Sequence, residues 1–337
     1  MGKVFTNIDL NNHIKYSNID FEKLKQETNF NFNGIKKSNI NKFYETNYIL
    51  ESDHFNGPDK KIVTLGDIHY HPHVDKEIYL LMLLYIYLVK PDYIVMPGDL
   101  VETIDFIDDK KEKEFFEYLI KFMAQICPVI IIPGNHELLN LQVKSIKSRI
   151  KEEHDKTIRY FESLSEKNIY FLNNAQENID GINFIGFSQT GDTYGKKDGK
   201  TIDSILNQFD KCNFRISEDE YNILITHSNL FVSITDKYKE INALRNLIDL
   251  MISGHWHDAY LPKVLDGILG NTNVGLYCSP FILPWKGIPC RGIHEFSRGV
   301  QLISQGFRKW TADIGLFNKI ERFYTNDVEQ IILTKKR

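Results

Sequence analysis

Five short polar clusters contain the residue types that bind metal ions, and each follows an apolar run typical of a β-strand. Carboxylate, amide and imidazole side chains are ligands of hard and borderline divalent cations. Such a set indicates metal-dependent chemistry, in which no covalent step by a side chain is required. The clusters are Gly66-Asp67-Ile68-His69, Gly98-Asp99-Leu100-Val101-Glu102, Gly134-Asn135-His136-Glu137, Thr226-His227-Ser228 and Gly254-His255-Trp256-His257.

The spacing within the clusters supports shared ligation, although each cluster alone is a weak signal. Asp67 and His69 are two positions apart, so in an extended chain both side chains point to the same side. His255 and His257 have the same spacing. Taken singly, the Asp-x-His pair fits chance, the Gly98-Asp99 pair fits simple turn chemistry, and the histidine pair fits an exposed surface.

Two cations about 3.5–4 Å apart would suit a reaction at phosphorus. Together they bind phosphate oxygens and a bridging hydroxide, lower the pKa of that water, and align it for in-line attack. Two such cations would be sufficient for hydrolysis of a phosphoester, without a covalent step by the protein.

The elements around the clusters predict strands that end at one edge of a sheet. Short apolar runs alternate with helix-length blocks in the first half, which predicts parallel strands with crossover helices. From Ile169 onwards the chain consists of short strand-like runs separated by turns. The predicted strands of the first half are 61–65, 93–96 and 129–132, and its predicted helices are 77–90 and 111–126. Those of the second half are 169–172, 182–187, 223–226, 250–252 and 274–278.

The ordered series Asp-x-His, Gly-Asp-x-x-Glu, Gly-Asn-His-Glu, His and Gly-His-x-His resembles the calcineurin-like metallophosphoesterase superfamily. The motifs run from about residue 61 to His257, and the wider pattern extends to about residue 310. The resemblance implies an α/β fold, a four-layer α/β/β/α sandwich with two central mixed β-sheets. It also implies metals held by loops at the strand ends, which agrees with the positions of the clusters.

The resemblance also implies individual roles for these side chains. One metal would be held by Asp67, His69 and His257, the other by Asn135, His227 and His255, with Asp99 bridging both. His136 would stay off the metals and act with Asp99 in catalysis, protonating the leaving oxygen or stabilising the transferring phosphoryl group. Manganese is the first choice for the two divalent ions, and iron, zinc, nickel and cobalt stay open because mixed ligands accept them.

The expected function is a dinuclear-metal phosphoesterase, and a phosphodiesterase in particular. The segment from Gly98 to Thr103 lacks the arginine of the protein Ser/Thr phosphatase motif, and the chain resembles bacterial stand-alone phosphohydrolases instead. A nucleotide or a phospholipid head group would suit such a site. The alternatives are a nuclease, a nucleotide-lipid pyrophosphatase, a phosphomonoesterase and a non-enzymatic metal-binding scaffold.

Charge and cysteine content limit the partners and the location. With 41 basic and 45 acidic residues the net charge is -4, which gives no broad attraction to nucleic acid. The four cysteines lie far apart, which favours a reducing, cytoplasmic setting. The longest apolar run, residues 78–89, is shorter than the roughly 20 residues of a transmembrane helix, so none is expected.

The predicted organisation has three parts. Residues 1–58 form a polar N-terminal extension, residues 59–310 the metallophosphoesterase domain with a helical or loop cap around 138–222, and residues 311–337 a C-terminal extension packing on the core. An aromatic loop at 277–287, with Arg291, Arg298 and Arg308 beyond it, either shapes the substrate pocket or only closes the fold. Glu102 and Glu137 either orient a neighbouring group or face solvent.

Overall fold

The computed structural model describes residues 8–9, 25–26, 43–138, 147–188, 206–228, 246–257, 291–296, 298–308 and 325–336, with only the backbone described at 147–154. These residues form two β-sheets with helices outside them. The strands are β1 (Ile8–Asp9), β2 (Phe43–Ser52), β3 (Lys60–Thr64), β4 (Tyr93–Pro97), β5 (Val129–Ile132), β6 (Ile169–Phe171), β7 (Ala175–Ile179), β8 (Ile182–Phe187), β9 (Tyr221–Thr226), β10 (Leu250–Ser253), β11 (Gly292–Glu295), β12 (Val300–Ile303) and β13 (Asn326–Lys335).

Both sheets are mixed. The first has seven strands in the order β1-β2-β13-β3-β4-β5-β6, and β3 to β6 are parallel to one another. β13 runs antiparallel to β3 and parallel to β2. The second sheet has six strands in the order β11-β12-β10-β9-β8-β7, with a parallel centre and antiparallel edge pairs.

Helices connect the parallel strands of the first sheet. They are α1 (Lys76–Val89), α2 (Lys110–Ile126), the single turn α3 (Asn135–Leu138) and α4 (Lys147–Leu164), with a short 3-10 helix at Ile104–Asp108. Leu81 of α1 and Phe116 of α2 pack in one buried cluster with Val63 of β3 and Ile94 of β4. The apolar run of residues 78–89 is therefore a crossover helix, as predicted.

The two sheets pack face to face. Neighbouring residues of a strand point to opposite faces, so Ile62 and Val95 face away from α1 and α2. Both lie in a second buried cluster with Phe184 and Ile223 of the other sheet.

A fourth layer covers the outer face of the second sheet. Ile185, Leu224 and Met251 form a third buried cluster, against which Leu206 and Phe209 of the helical residues 206–211 pack. The predicted four-layer α/β/β/α sandwich with two mixed sheets is confirmed.

Parts of both terminal segments belong to the first sheet. β2 lies in the segment 1–58 and β13 lies in the segment 311–337, and the ten residue pairs between them form one continuous parallel ladder. The predicted cap region of 138–222 contains α4 and the strands β6, β7 and β8. The three-part division of the chain stays a prediction, but these strands share the core of the middle segment.

No described helix combines the length and the apolar composition that crossing a bilayer requires. The predicted strand at 274–278 and the aromatic loop at 277–287 lie outside the described residues.

Candidate metal centre

The five clusters lie at the carboxyl ends of five strands. Asp67, Asp99 and Asn135 follow the neighbouring parallel strands β3, β4 and β5 of the first sheet. His227 and His255 follow the neighbouring strands β9 and β10 of the second sheet. Parallel strands that share an edge bring their following loops together, and in this fold the edges of both sheets contribute.

The backbone at these positions is held in a rare conformation. Asp67 and Asp99 each have φ 52°, and His69, His255 and His257 have φ 44°, 74° and 47°. A non-glycine residue in the left-handed region costs about 1–3 kcal/mol and persists only where the surroundings fix it. Five such residues in one place indicate a site built for function rather than stability.

The first group of converging side chains consists of Asp67, His69, Asp99 and His257, all buried. Nε2 of His257 lies 3.2 Å from Nε2 of His69 and 3.4 Å from Oδ1 of Asp67. Nε2 of His69 lies 3.6 Å from Oδ2 of Asp99. Two carboxylates and two imidazoles thus face one point.

The second group consists of Asp99, His227 and His255, with the amide of Asn135 beside them. Nε2 of His227 lies 2.8 Å from Oδ1 of Asn135, 3.1 Å from Nδ1 of His255 and 3.2 Å from Oδ2 of Asp99. Asp99 belongs to both groups, so its carboxylate lies between them.

Backbone carbonyls fix the tautomers of two of these histidines. Nδ1 of His227 donates to the carbonyl of Pro97 at 2.8 Å, and Nδ1 of His257 donates to the carbonyl of Arg308 at 2.7 Å. In the neutral rings the Nε2 atoms therefore carry lone pairs, and both point at other acceptor atoms. A cation between these atoms satisfies them, so the donor set fits a metal at each group.

Burial and neighbouring charges keep most of these groups in a ligand-competent state. Burial, with His136, lowers the pKa of His69 well below its usual range, and burial with His227 lowers that of His255 to about 3. Burial would raise the pKa of Asp99, but His227 and His136 hold it well below the usual range. Burial would lower the pKa of His227, but Asp99 raises it to about 9. A proton must therefore leave this ring before its Nε2 can bind a cation.

His136 lies beside the two groups and has a different set of contacts. Its Nδ1 donates to the carbonyl of Glu102 at 3.0 Å, and its backbone N–H donates to Oδ1 of Asp99 at 2.8 Å. Its Nε2 lies 4.0 Å from Oδ2 of Asp99, and its side chain keeps 11% of its surface exposed. The ring of His136 therefore reaches solvent, whereas that of His69 is fully buried.

Glu137 is buried and joins two of the loops. Its Oε2 accepts the backbone N–H groups of Asp99 at 2.9 Å and of Gly134 at 2.7 Å, and its Oε1 accepts that of Val101 at 3.0 Å. Burial and the charge of Asp99 raise the pKa of Glu137 to about 6. Of the two roles considered for Glu137, orienting a neighbouring group is the one that the contacts support.

Glu102 is also buried and faces two histidines. Its Oε2 lies 3.0 Å from Nδ1 of His69, and its Oε1 lies 3.8 Å from Nδ1 of His136. A carboxylate behind a ligating histidine favours the proton on Nδ1 and leaves Nε2 for the metal. Glu102 therefore orients its neighbours rather than facing solvent.

The three arginines considered for the substrate pocket have different surroundings. Arg298 donates to Oδ1 of Asp249 at 2.8 Å and to the carbonyl of Glu218 at 2.9 Å, at the end of the second sheet where β9 and β10 begin. The carbonyl of Arg291 lies 2.7 Å from Nε2 of His294 on β11. Arg308 is buried beneath His69.

Two contributors to the site carry no signal in the sequence. The carbonyls of Pro97 and Arg308 orient His227 and His257, and any residue has a carbonyl. Pro97 stands directly before Gly98-Asp99 at a predicted strand end, but this position does not indicate its contact with His227.

Comparison of the structure with solved structures finds matches at low identity. One is a dimetal phosphatase from Danio rerio, with 12% identity, covering 73% of this chain and 87% of that one, at a TM-score of 0.38. Another is the phosphopantetheinyl hydrolase of Mycobacterium tuberculosis, with 12% identity, 74% and 91% coverage, and a TM-score of 0.40. A third is GAP50, the anchor in the inner membrane complex of Plasmodium, with 12% identity, 74% and 72% coverage, and a TM-score of 0.34. Comparison with curated protein sequences finds no match.

The sequence itself matches one family. The profile described as calcineurin-like phosphoesterase matches residues 60–259, which is more than half of the 337 residues and includes all five clusters. The two groups that share Asp99 form the dimetal-binding site that such a family requires. The chain belongs to the calcineurin-like phosphoesterases and is a metal-dependent phosphoester hydrolase.

Proposed function

We propose that this protein is a phosphodiesterase that uses two divalent cations, manganese by preference, held by the two groups. In this proposal the first cation is bound by Asp67, His69 and His257, the second by Asn135, His227 and His255, and both by Asp99. His136 is the catalytic acid. When bound, two such cations activate a water as nucleophile and neutralise charge on the phosphoryl oxygens.

The single observation that carries the proposal is the shared position of Asp99. Its Oδ2 lies 3.6 Å from Nε2 of His69 in the first group and 3.2 Å from Nε2 of His227 in the second. A carboxylate between two sets of ligands is the arrangement that holds two cations close enough to act on one phosphate.

His136 is placed to hold and transfer a proton. Burial would lower its pKa, but Asp99 and Glu102 raise it above the usual value, which favours the doubly protonated ring. Nδ1–H stays on the Glu102 carbonyl, so Nε2–H is the proton that the ring gives away. Water attack on phosphorus forms one P–O bond and breaks the ester P–O bond, and this proton goes to the leaving oxygen, giving a monoester and an alcohol.

The charge of the site supports a diester over a monoester. A monoester dianion carries one more negative charge than a diester, and it favours a site with an additional cationic clamp. In the described part of the site, the guanidinium of Arg308 donates to the backbone carbonyl of His69, and Thr103 stands where the protein Ser/Thr phosphatase motif has its arginine. His136 remains as the cationic group at the surface of the site.

The proposed substrates are diesters of a nucleotide or a phospholipid head group. The net charge of -4 does not favour long nucleic acid, so the nuclease activity is an outcome of the test rather than part of the proposal. A cytoplasmic location, proposed from the sparse cysteines, is compatible with the free thiols of Cys127 and Cys212.

The test compares bis-p-nitrophenyl phosphate with p-nitrophenyl phosphate, using metal-free protein reloaded with manganese. We expect faster turnover of the diester, and a loss of about 100-fold or more in both His136→Ala and Asp99→Asn. Asp249→Asn is the control, because Asp249 is a buried carboxylate that pairs with Arg298 away from the metal groups. Faster turnover of the monoester, or cleavage of plain single-stranded DNA in preference to both esters, would contradict the proposal.

A further inference from the structure

The backbone carbonyl of His69 accepts hydrogen bonds from two side chains that lie outside the five clusters. Nη1 of Arg308 donates to this carbonyl at 2.6 Å, and the hydroxyl of Tyr79 on α1 donates to it at 3.3 Å. Arg308 follows β12 and is separated from His69 by most of the chain. It lies beyond residue 259, where the match to the family ends.

This carbonyl needs external support because of the backbone at His69. A φ of 44° places His69 in the left-handed region. Its backbone N–H donates to the Asp99 carbonyl at 2.9 Å, while its own carbonyl is held by the two side chains. A residue in this region persists only where its surroundings hold it. The direction of the His69 carbonyl and the position of its Cβ are coupled through the same backbone, so a bond to the carbonyl helps to place the imidazole.

The segment around Arg308 contacts the other residues of the first group as well. The backbone N–H of Arg308 donates to the carbonyl of Asp67 at 3.1 Å, and its carbonyl accepts from Nδ1 of His257 at 2.7 Å. The N–H of Phe307 donates to the carbonyl of Gly66 at 2.7 Å. These backbone bonds do not depend on the side chain at 308, so the bond from the guanidinium to His69 can be removed separately from them.

The burial of this guanidinium is costly unless it has a role. Arg308 is 6% exposed, and arginine stays charged at any relevant pH. A buried cation close to two proposed metal ions raises the electrostatic cost of binding them. The fixed donor geometry of arginine suits a short bond to a backbone carbonyl.

We propose that Arg308 is a positioning residue of the metal centre, whose guanidinium holds the His69 carbonyl and thereby keeps the imidazole directed at the first metal. The inference rests on the proposed ligand set, since it assigns His69 to a metal. Arg308 does not touch the substrate in this role. It acts through His69, and Tyr79 supplies a second, longer bond to the same atom.

The test measures manganese binding to metal-free wild-type protein and to Arg308→Gln by calorimetry, with metal content determined on the same samples. We expect wild type to bind two ions, and one of the two ions to bind about 10-fold more weakly in Arg308→Gln, as for other groups that orient a ligand. Tyr79→Phe should weaken the same ion by a smaller factor.

Arg298→Gln is the matched control. The side chain of Arg298 is only 9% exposed and also donates to a backbone carbonyl, but it pairs with Asp249 at the opposite ends of the strands. It should lower the melting temperature without changing either dissociation constant. A purely structural role for Arg308 would produce the same pattern, lower melting temperature with unchanged binding, and would overturn the inference.

The experiment separates this inference from the proposed function. If wild type does not bind two ions, the ligand assignment fails, whatever Arg308 does. If wild type binds two ions and Arg308→Gln binds them equally well, only the inference fails. Should Arg308→Gln not fold, Arg308→Lys decides, because one ammonium lacks the fixed fork: at least about threefold weaker binding is expected, and wild-type binding would overturn the inference.

Discussion

Nε2 of His69 lies 3.2 Å from Nε2 of His257, although the two histidines follow strands of different sheets. The ring of His257 has its proton on Nδ1, which donates to the Arg308 carbonyl, and Nδ1 of His69 faces the Glu102 carboxylate at 3.0 Å. When both rings carry their proton on Nδ1, two lone pairs point at each other in a buried place. Without a cation between the two rings, this contact opposes the packing of the two sheets. A cation bound by both rings would instead link the sheets.

Metal binding is expected to stabilise the fold through this contact. Removing divalent ions with a chelator should lower the melting temperature, and adding manganese should restore it. At a free ion concentration 100 times the dissociation constant, binding adds about 2.7 kcal/mol to the free energy of unfolding. Thermal unfolding with and without manganese measures the difference.

His257→Ala should lose most of this increment, because it removes a proposed ligand of the first metal. His54→Ala is its control, since His54 is exposed and lies in the turn between β2 and β3. A wild-type melting temperature that does not change on addition of manganese would show that the contact between His69 and His257 has another cause.

Glu137 is expected to be a structural requirement of the site. In Glu137→Gln one oxygen still accepts two N–H groups, but the new NH₂ group meets the N–H of Val101, so a buried donor loses its acceptor. We expect the free energy of unfolding to fall by about 3 kcal/mol and manganese binding to weaken, because Asp99 loses its anchored loop. Urea unfolding of the metal-free protein and a manganese titration measure the two effects.

The control for this substitution is Glu177→Gln on the edge strand β7, where the side chain is exposed. It should change the free energy of unfolding by less than about 0.5 kcal/mol. Wild-type stability in Glu137→Gln would mean that the three N–H groups find other acceptors, and the role given to Glu137 would then be wrong.

The sequence alone predicted the layers and the positions of the clusters, because both follow from local patterns. Apolar runs of strand length ended in Asp67, Asp99 and Asn135, and the rule for parallel strands brings such ends to one edge. The family resemblance predicted which side chains meet. The structure places those side chains together, while their assignment to two metals remains a prediction.

The position of β13 was not predictable in this way. A ten-residue strand near the end of the chain inserts between β2 and β3, and its register depends on pairing with residues more than 250 positions earlier. Local periodicity contains no information on such pairing. The contact of Arg308 with His69 depends on the same kind of long-range packing, so the sequence predicted an arginine near the pocket but not its partner.

Gly134→Ala is expected to separate metal binding from folding. A Cβ at Gly134 would overlap the backbone nitrogen and Oδ1 of Asp99, so the loop after β4 must shift. We expect loss of at least one manganese ion and a fall of about 100-fold or more in diester turnover, with the far-ultraviolet circular dichroism spectrum retained. Metal content and turnover of the purified variant measure the effect.

Gly57→Ala is the control for this substitution. There the new Cβ meets the far edge of the Phe55 ring at 3.1 Å, and the ring can give way. It should keep both ions and wild-type turnover. Full metal content in Gly134→Ala would show that the loop adapts and that the close approach of Gly134 to Asp99 is not required.

His294 on β11 is expected to make the metal-free protein less stable in acid. The ring is half-buried, and burial lowers its pKa below the usual value, although a bond from Nε2 to the Arg291 carbonyl opposes this. The unfolded chain therefore binds more protons than the native state once the pH falls below about 6.5. His294 contributes stability above that pH, and the contribution decreases as the pH falls towards the pKa of the folded state.

Urea unfolding in the presence of a chelator, between about pH 7.5 and pH 5.5, tests this sign. Wild type should lose more free energy of unfolding across this range than His294→Gln, whose amide keeps a donor for the Arg291 carbonyl and does not titrate. His54→Gln is the matched control, because it makes the same substitution at an exposed ring. A constant difference between wild type and His294→Gln across the range would show that burial of this ring does not disfavour its charged form.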